Sequence, residues 1–140
     1  MGEENIKLFG ISGSPRKAST DHIVREALRH AGEMYSAETE YFSAVGKKIN
    51  FCIHCDYCIK NKKGCVHNDD MQFVYENLKW ADALINEAIP VGGGSFGANL
   101  GGAFWSKDRG AEGAKDDEEG LKSMRKTVDR LMKTTLMLKK

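Results

Sequence analysis

Residues 6–31, "IKLFGISGSPRKASTDHIVREALRHA", constrain this chain more than any other stretch. Residues 6–12 form a short, mostly apolar run that ends in a turn rich in glycine and serine. Buried parallel strands read this way. From Ser19 the spacing becomes helical: Ile23, Val24, Ala27, Leu28 and Ala31 fall on one face, and Ser19, Thr20 and Asp21 offer cap chemistry at its start. A strand that turns directly into an amphipathic helix opens a β–α–β unit, and such units build parallel sheets.

The rest of the chain continues the alternation. "AETEYF" (37–42) alternates like a strand with one wetter face. Asp69 and Asp70 open a second helix with Met71, Val74, Tyr75 and Leu78 inward, and "ADALI" (81–85) and "AIPV" (88–91) are strand candidates. A last helix is predicted from Asp117 to Leu138, with Leu121, Met124, Val128, Leu131 and Thr135 along one stripe. The pattern predicts one α/β domain over residues 1–140, long enough for a hydrophobic core without disulfide staples. The sheet logic fails at two joints. Only Asn86 and Glu87 separate "ADALI" from "AIPV", whereas parallel strands need a crossover of about a dozen residues. Asn-Glu is not a favoured hairpin turn either. "VGGGSFGANLGG" then stands where another helix and a fifth strand belong. The chain is therefore expected to omit segments after Ile85 and after Gly94.

The turn "GISGSPRKASTD" (10–21) lies where a helix dipole and backbone N–H groups favour an anion. Gly13 permits a tight turn and close approach. Ser12, Ser14, Ser19 and Thr20 supply hydroxyls, and Arg16 a charged fork suited to phosphate. No G-K-[ST] ends the stretch, and Gly10 and Gly13 lack the dinucleotide spacing. Hydroxyls with an arginine suit the terminal phosphate of a mononucleotide such as FMN. The alternative is an ordinary, well-capped strand–helix turn.

All four cysteines lie in "CIHCDYCIKNKKGC" (52–65): Cys52, Cys55 and Cys58 at a spacing of three, then Cys65. The acidic beginning "MGEENIKLFGIS" does not resemble a secretory leader, Ile6 breaks a myristoylation pattern, and no apolar run approaches a membrane span. A cytoplasmic location is expected, where clustered thiols serve metal or redox chemistry more often than disulfides. Zinc sites usually join two distant Cys-x2-Cys pairs. C-x2-C-x2-C is instead shared with ferredoxin motifs, and it favours a [4Fe–4S] cluster held by Cys52, Cys55, Cys58 and Cys65. Zinc and disulfides stay open as alternatives. Lys60, Lys62 and Lys63 would offset cluster charge or dock an acidic partner, or serve only as solvated surface. His54 and His67 flank the loop as bystanders. With 21 basic against 20 acidic residues, nucleic acid is not expected as a partner.

The phosphate-type turn followed by "CIHCDYCIKNKKGC" resembles the iron–sulfur flavoproteins, a family within the flavodoxin-like NAD(P)H-dependent FMN reductases. The resemblance covers Ile6 to about Ile85 and resumes at "GGAFWSKDRGAEGAKDDEEGLKSMRKTVDRL". It implies a doubly wound parallel sheet, FMN bound at Ser12, Ser14, Pro15, Arg16, Ser19 and Thr20, and the cluster on the four cysteines. Ring-side contacts fall to Gly92, Gly93 and Gly94, because the family's Pro-x-Tyr loop after the third strand is missing here. It further implies a homo-oligomer, electrons from a ferredoxin-like donor and a small oxidant as acceptor. No side chain is assigned as a catalytic acid or base. The rival expectation is an NAD(P)H-dependent FMN reductase whose cysteine loop is structural.

Overall fold

A computed structural model of the chain describes residues 5–87 and 115–139. Its elements run β1 (Lys7–Ser12), α1 (Ser19–Tyr35), β2 (Glu38–Ser43), α2 (Tyr57–Asn61), α3 (Met71–Trp80), β3 (Ala83–Glu87) and α4 (Glu118–Leu138). The described sheet has three strands in the order β2-β1-β3, parallel throughout, with β1 bonded on both sides. The expected α/β parallel architecture is what the chain adopts.

The period of two in β1 divides the core into two layers. Ile6 and Leu8 face α1 and α4 and pack with Ile23, Val24, Ala27, Leu28, Met124 and Val128. Phe9 faces the other way, with Phe42 and Val74. Phe73 of α3 lies edge-on to Phe9 at 6.2 Å and stacked with Phe42 at 6.0 Å. Helices on both faces make the sheet doubly wound. Two side chains of α4 tie it to α1: Arg125 Nη2 donates to Glu26 Oε1 at 3.2 Å, and Asp129 Oδ1 accepts the Tyr35 hydroxyl at 2.9 Å while lying 2.9 Å from His30 Nε2. Below β3, the Asp82 carboxylate takes the Lys7 N–H and the Lys139 ammonium, each at 2.8 Å.

Several details depart from the sequence-based expectation. All five predicted inward residues of α1 are buried, but its N-cap is Ala18 and no side chain caps it. The Ser19–Asp21 segment belongs to the first turn, where Asp21 is drawn aside by Tyr41 and Arg25. On α3, Leu78 points outward at 47% exposure, and Asn77 occupies the buried position, its amide donating to the Phe73 carbonyl at 2.9 Å. On α4, Leu131 is only partly buried and Met132 is fully so. β3 runs through the joint at Ile85–Asn86, with Asn86 opposite Ile11 and Glu87 opposite Ser12. The strand is thus displaced two residues from "ADALI" and crosses that joint without interruption. "AIPV" and Gly92–Gly94 lie outside the described residues.

Candidate functional site

The central strand delivers its last residue, Ser12, to the C-terminal edge of the sheet beneath the start of α1. Ligands of open α/β sheets bind at this edge. Gly10 allows the helix to come close: a Cβ there would meet Leu28 Cδ1 at 2.6 Å and Val24 Cγ1 at 2.9 Å. Ser12 is fully buried, and among the described residues its hydroxyl has no hydrogen-bond partner. A buried polar atom without a partner costs stability unless something else satisfies it. Ser14 is also buried, and its Oγ accepts the Arg16 N–H at 3.2 Å, which folds the turn back on itself. Gly13, Pro15 and Arg16 are exposed, and Ser19 and Thr20 are half-buried in the first turn of α1. The structure therefore gathers Ser12, Ser14, Pro15, Arg16, Ser19 and Thr20 in one continuous turn. This set fits a phosphate: an orphaned hydroxyl at its floor, a helix start without a side-chain cap, and a guanidinium at its rim.

The cysteine loop lies past the end of β2. Its base is tied by two neighbouring carboxylates. Asp70 Oδ2 accepts the Lys48 N–H at 2.6 Å, and Asp69 Oδ2 accepts the Asn50 N–H at 2.8 Å and its amide at 2.9 Å. Asp69 Oδ1 also accepts the Met71 N–H at 3.1 Å, starting α3. Between these ties every residue from Ile49 to Gly64 is exposed, Phe51 to 93%. The short α2 inside the loop has left-handed residues at both ends, Asp56 and Lys62, and His54 is left-handed as well. Non-glycine residues adopt that conformation uncommonly. Nothing in the apolar periodicity signals a helix of five residues with no buried side chain.

All four cysteines are free. Cys52, Cys58 and Cys65 line one open cleft of about 700 Å³ together with Lys62, Lys63 and Lys79; Cys55 and Lys60 are not in its wall. Among the described residues, no three His, Cys, Asp or Glu side chains stand close enough together to hold a metal ion. Four unpaired thiols on one loop suit iron or zinc chemically. Their present spacing does not close a site. The residue missed by sequence reasoning is Tyr75, expected to point inward but lining this cleft. Burial, and then the negative charge of Cys65, Asp69, Cys58 and Cys52, pushes its phenol above the ordinary value. His67, two residues beyond Cys65, carries a buried Nε2 that has no hydrogen-bond partner among the described residues. Among the described residues, no helix is long and apolar enough to cross a membrane.

Comparison with known proteins agrees with this geometry. Residues 6–103 match the model of the NADPH-dependent FMN reductase family. An iron–sulfur flavoprotein of Methanocaldococcus jannaschii is 43% identical over 188 aligned positions, covering 89% of this chain and 94% of the relative. One from Archaeoglobus fulgidus is 35% identical over 186 positions, covering 88% and 94%. Another, from Methanosarcina thermophila, is 36% identical over 101 positions, covering 71% of this chain and 51% of the relative. An alignment of 188 positions against a chain of 140 residues leaves at least 48 positions of the first relative without a counterpart here. No solved structure gives a significant match.

Proposed function

We propose, from the premise that the chain belongs to the iron–sulfur flavoprotein family of the FMN reductase superfamily, that it is an electron-transfer flavoprotein. In this reading one domain over residues 1–140 carries FMN at the β1–α1 turn and a [4Fe–4S] cluster on the cysteine loop. When bound, FMN supplies the exchange between one- and two-electron chemistry, and the cluster supplies single-electron transfer. The chain's own residues bind and orient. Ser12 and Ser14 offer hydroxyls at the floor of the turn, Arg16 offers charge at its rim, and Ser19 and Thr20 sit in the first turn of the helix. Cys52, Cys55, Cys58 and Cys65 supply the thiolates, and Gly92, Gly93 and Gly94 are proposed for the ring side. Lys62, Lys63 and Lys79 bring positive charge to the cleft that would receive the negative cluster.

The observation that carries the reading is the orphaned Ser12 hydroxyl, which calls for a ligand at the flavin-phosphate position. Physiologically, a ferredoxin-like carrier or NAD(P)H would supply electrons to a small oxidant, in the cytoplasm and within a homo-oligomer. The test is metal and flavin analysis of anaerobically prepared protein. About four iron atoms and about one FMN per chain are expected. Iron below about one atom per chain excludes the cluster.

The match of residues 6–103 to the NADPH-dependent FMN reductase family carries a second reading, a plain NAD(P)H-dependent FMN reductase with a structural cysteine loop. Rapid FMN reduction by NADPH in a Cys58→Ser variant would select it.

A further inference from the structure

Beneath the β1–α1 turn lies a polar group that the phosphate-loop motif does not include. Tyr41 of β2 pairs with Gly10 of β1, so its side chain lies on the α1 face of the sheet. Its hydroxyl donates to Oδ1 of Asp21, in the first turn of α1. Arg25, one turn further on, donates from Nε to Asp21 Oδ2 at 2.9 Å, and its guanidinium lies 4.1 Å from the centre of the Tyr41 ring. The Asp21 side chain is only 13% exposed, so its charge is held against the helix start rather than dispersed in water. Burial pushes the Asp21 carboxyl up, but the hydrogen bonds from Tyr41 and Arg25, with the charges of Arg25 and Lys17, bring it below its ordinary value. Asp21 therefore stays ionised at neutral pH.

A carboxylate in a first helical turn draws on the same N-terminal field that attracts a phosphate. Left alone, Asp21 would repel the ligand that the turn is built to hold. The cation beside it removes that conflict. An independent sign that a ligand belongs there is Ser12: fully buried, paired in register with Ser43 on the same face as Tyr41, near enough to the Tyr41 phenol to influence it, yet among the described residues without a hydrogen-bond partner for its hydroxyl.

We propose that Arg25 is a specificity-determining positioning residue for phosphorylated flavin: by neutralising Asp21, it keeps the Ser12 end of β1 receptive to a phosphate dianion. The inference rests on the reading that this turn holds the FMN phosphate. The Tyr41 hydroxyl anchors the carboxylate from below, and Arg25 is clamped between that carboxylate and the Tyr41 ring.

The test titrates the full chain, freed of flavin, with FMN and separately with riboflavin, read by flavin fluorescence. Arg25→Gln should weaken FMN binding about two- to fivefold and leave riboflavin binding unchanged. Arg25→Lys, which keeps the charge, should retain most of the preference for FMN. Asp21→Asn combined with Arg25→Gln should restore FMN affinity, because the amide oxygen still accepts the Tyr41 hydroxyl without carrying charge. Equal weakening of both flavins in Arg25→Gln, or a double variant that keeps the full loss, overturns the inference. A parent protein that binds both flavins equally overturns the phosphate reading and this inference with it. A parent that prefers FMN, and an Arg25→Gln variant that keeps the whole preference, overturn this inference alone.

Discussion

Gly10 lies directly beneath Leu28: a Cβ on the glycine would stand 2.6 Å from Leu28 Cδ1, and Val24 closes the other side at 2.9 Å. Both helix residues are buried, so neither can step aside into solvent. Gly10→Ala should destabilise the fold by about 1–3 kcal/mol through overpacking, as measured by urea unfolding. In a Leu28→Ala background the same substitution should cost less. Equal costs in both backgrounds would show that the close approach is not the cause.

Among the described residues the Ser12 hydroxyl has no hydrogen-bond partner, so a structural role and the proposed binding role can be told apart. Ser12→Ala removes no protein hydrogen bond, so the flavin-free chain should lose no more than about 0.5 kcal/mol, and a gain is compatible. FMN affinity should fall by roughly tenfold or more, the worth of a hydrogen bond to a charged group. Stability can be followed by thermal melting and affinity by flavin fluorescence. A large fall in stability with unchanged affinity would reverse the assignment.

Acid should weaken the ion-pair cluster centred on Glu26, which Arg29 of the same helix and Arg125 of α4 share. The hydrogen bond from Arg29 holds the Glu26 carboxyl down at about 2 from an ordinary 4.5; burial opposes this and Arg125 adds to it. A carboxylate with a depressed folded pKa contributes stability above its unfolded value, and loses it as pH falls through the folded one. The window therefore runs from about pH 4.5 down to about pH 2. The two arginines are half exposed, so screening limits the contribution to about 1 kcal/mol. Glu26→Gln should lower stability at pH 7 by that amount and flatten the acid limb between those values. An unchanged acid limb would mean that another carboxylate carries it.

Cys58 is exposed and contributes nothing to either core layer. Cys58→Ser should leave unfolding of the iron-free chain within about 0.5 kcal/mol of the parent, while iron content after anaerobic reconstitution falls sharply. Bound FMN should persist. Loss of flavin together with iron would show that the turn and the loop depend on each other.

The sequence revealed the parts of this molecule that repeat. Residues 23, 24, 27, 28 and 31 bury as the 3.6-residue period requires, and the alternation of Leu8 and Phe9 separates two core layers that the structure then fills. What it concealed depends on partners distant along the chain. Ser19–Asp21 read as a cap because local chemistry suggested one, but Tyr41, twenty residues beyond Asp21, claims its carboxylate. Leu78 and Asn77 exchange places on α3 because Asn77 satisfies itself on the Phe73 carbonyl and tolerates burial. In the candidate site, the six turn residues and four thiols were readable as motifs. Tyr75 at the cleft and Arg25 beside Asp21 were not, since each takes its role from a neighbour on another element or another turn. The strand shift at residues 83–87 follows from β1: pairing Leu8 with Ala83 and Ser12 with Glu87 extends the ladder two residues past "ADALI".

Asp69 and Asp70 draw the two ends of the cysteine loop together at its base, and sixteen exposed residues lie between Ile49 and Gly64. For an engineer such a segment is a cassette. The two aspartates hold its joints, and none of the residues between them enters either core layer, so its length, donor set and charge can be varied as an experiment without cutting into the core.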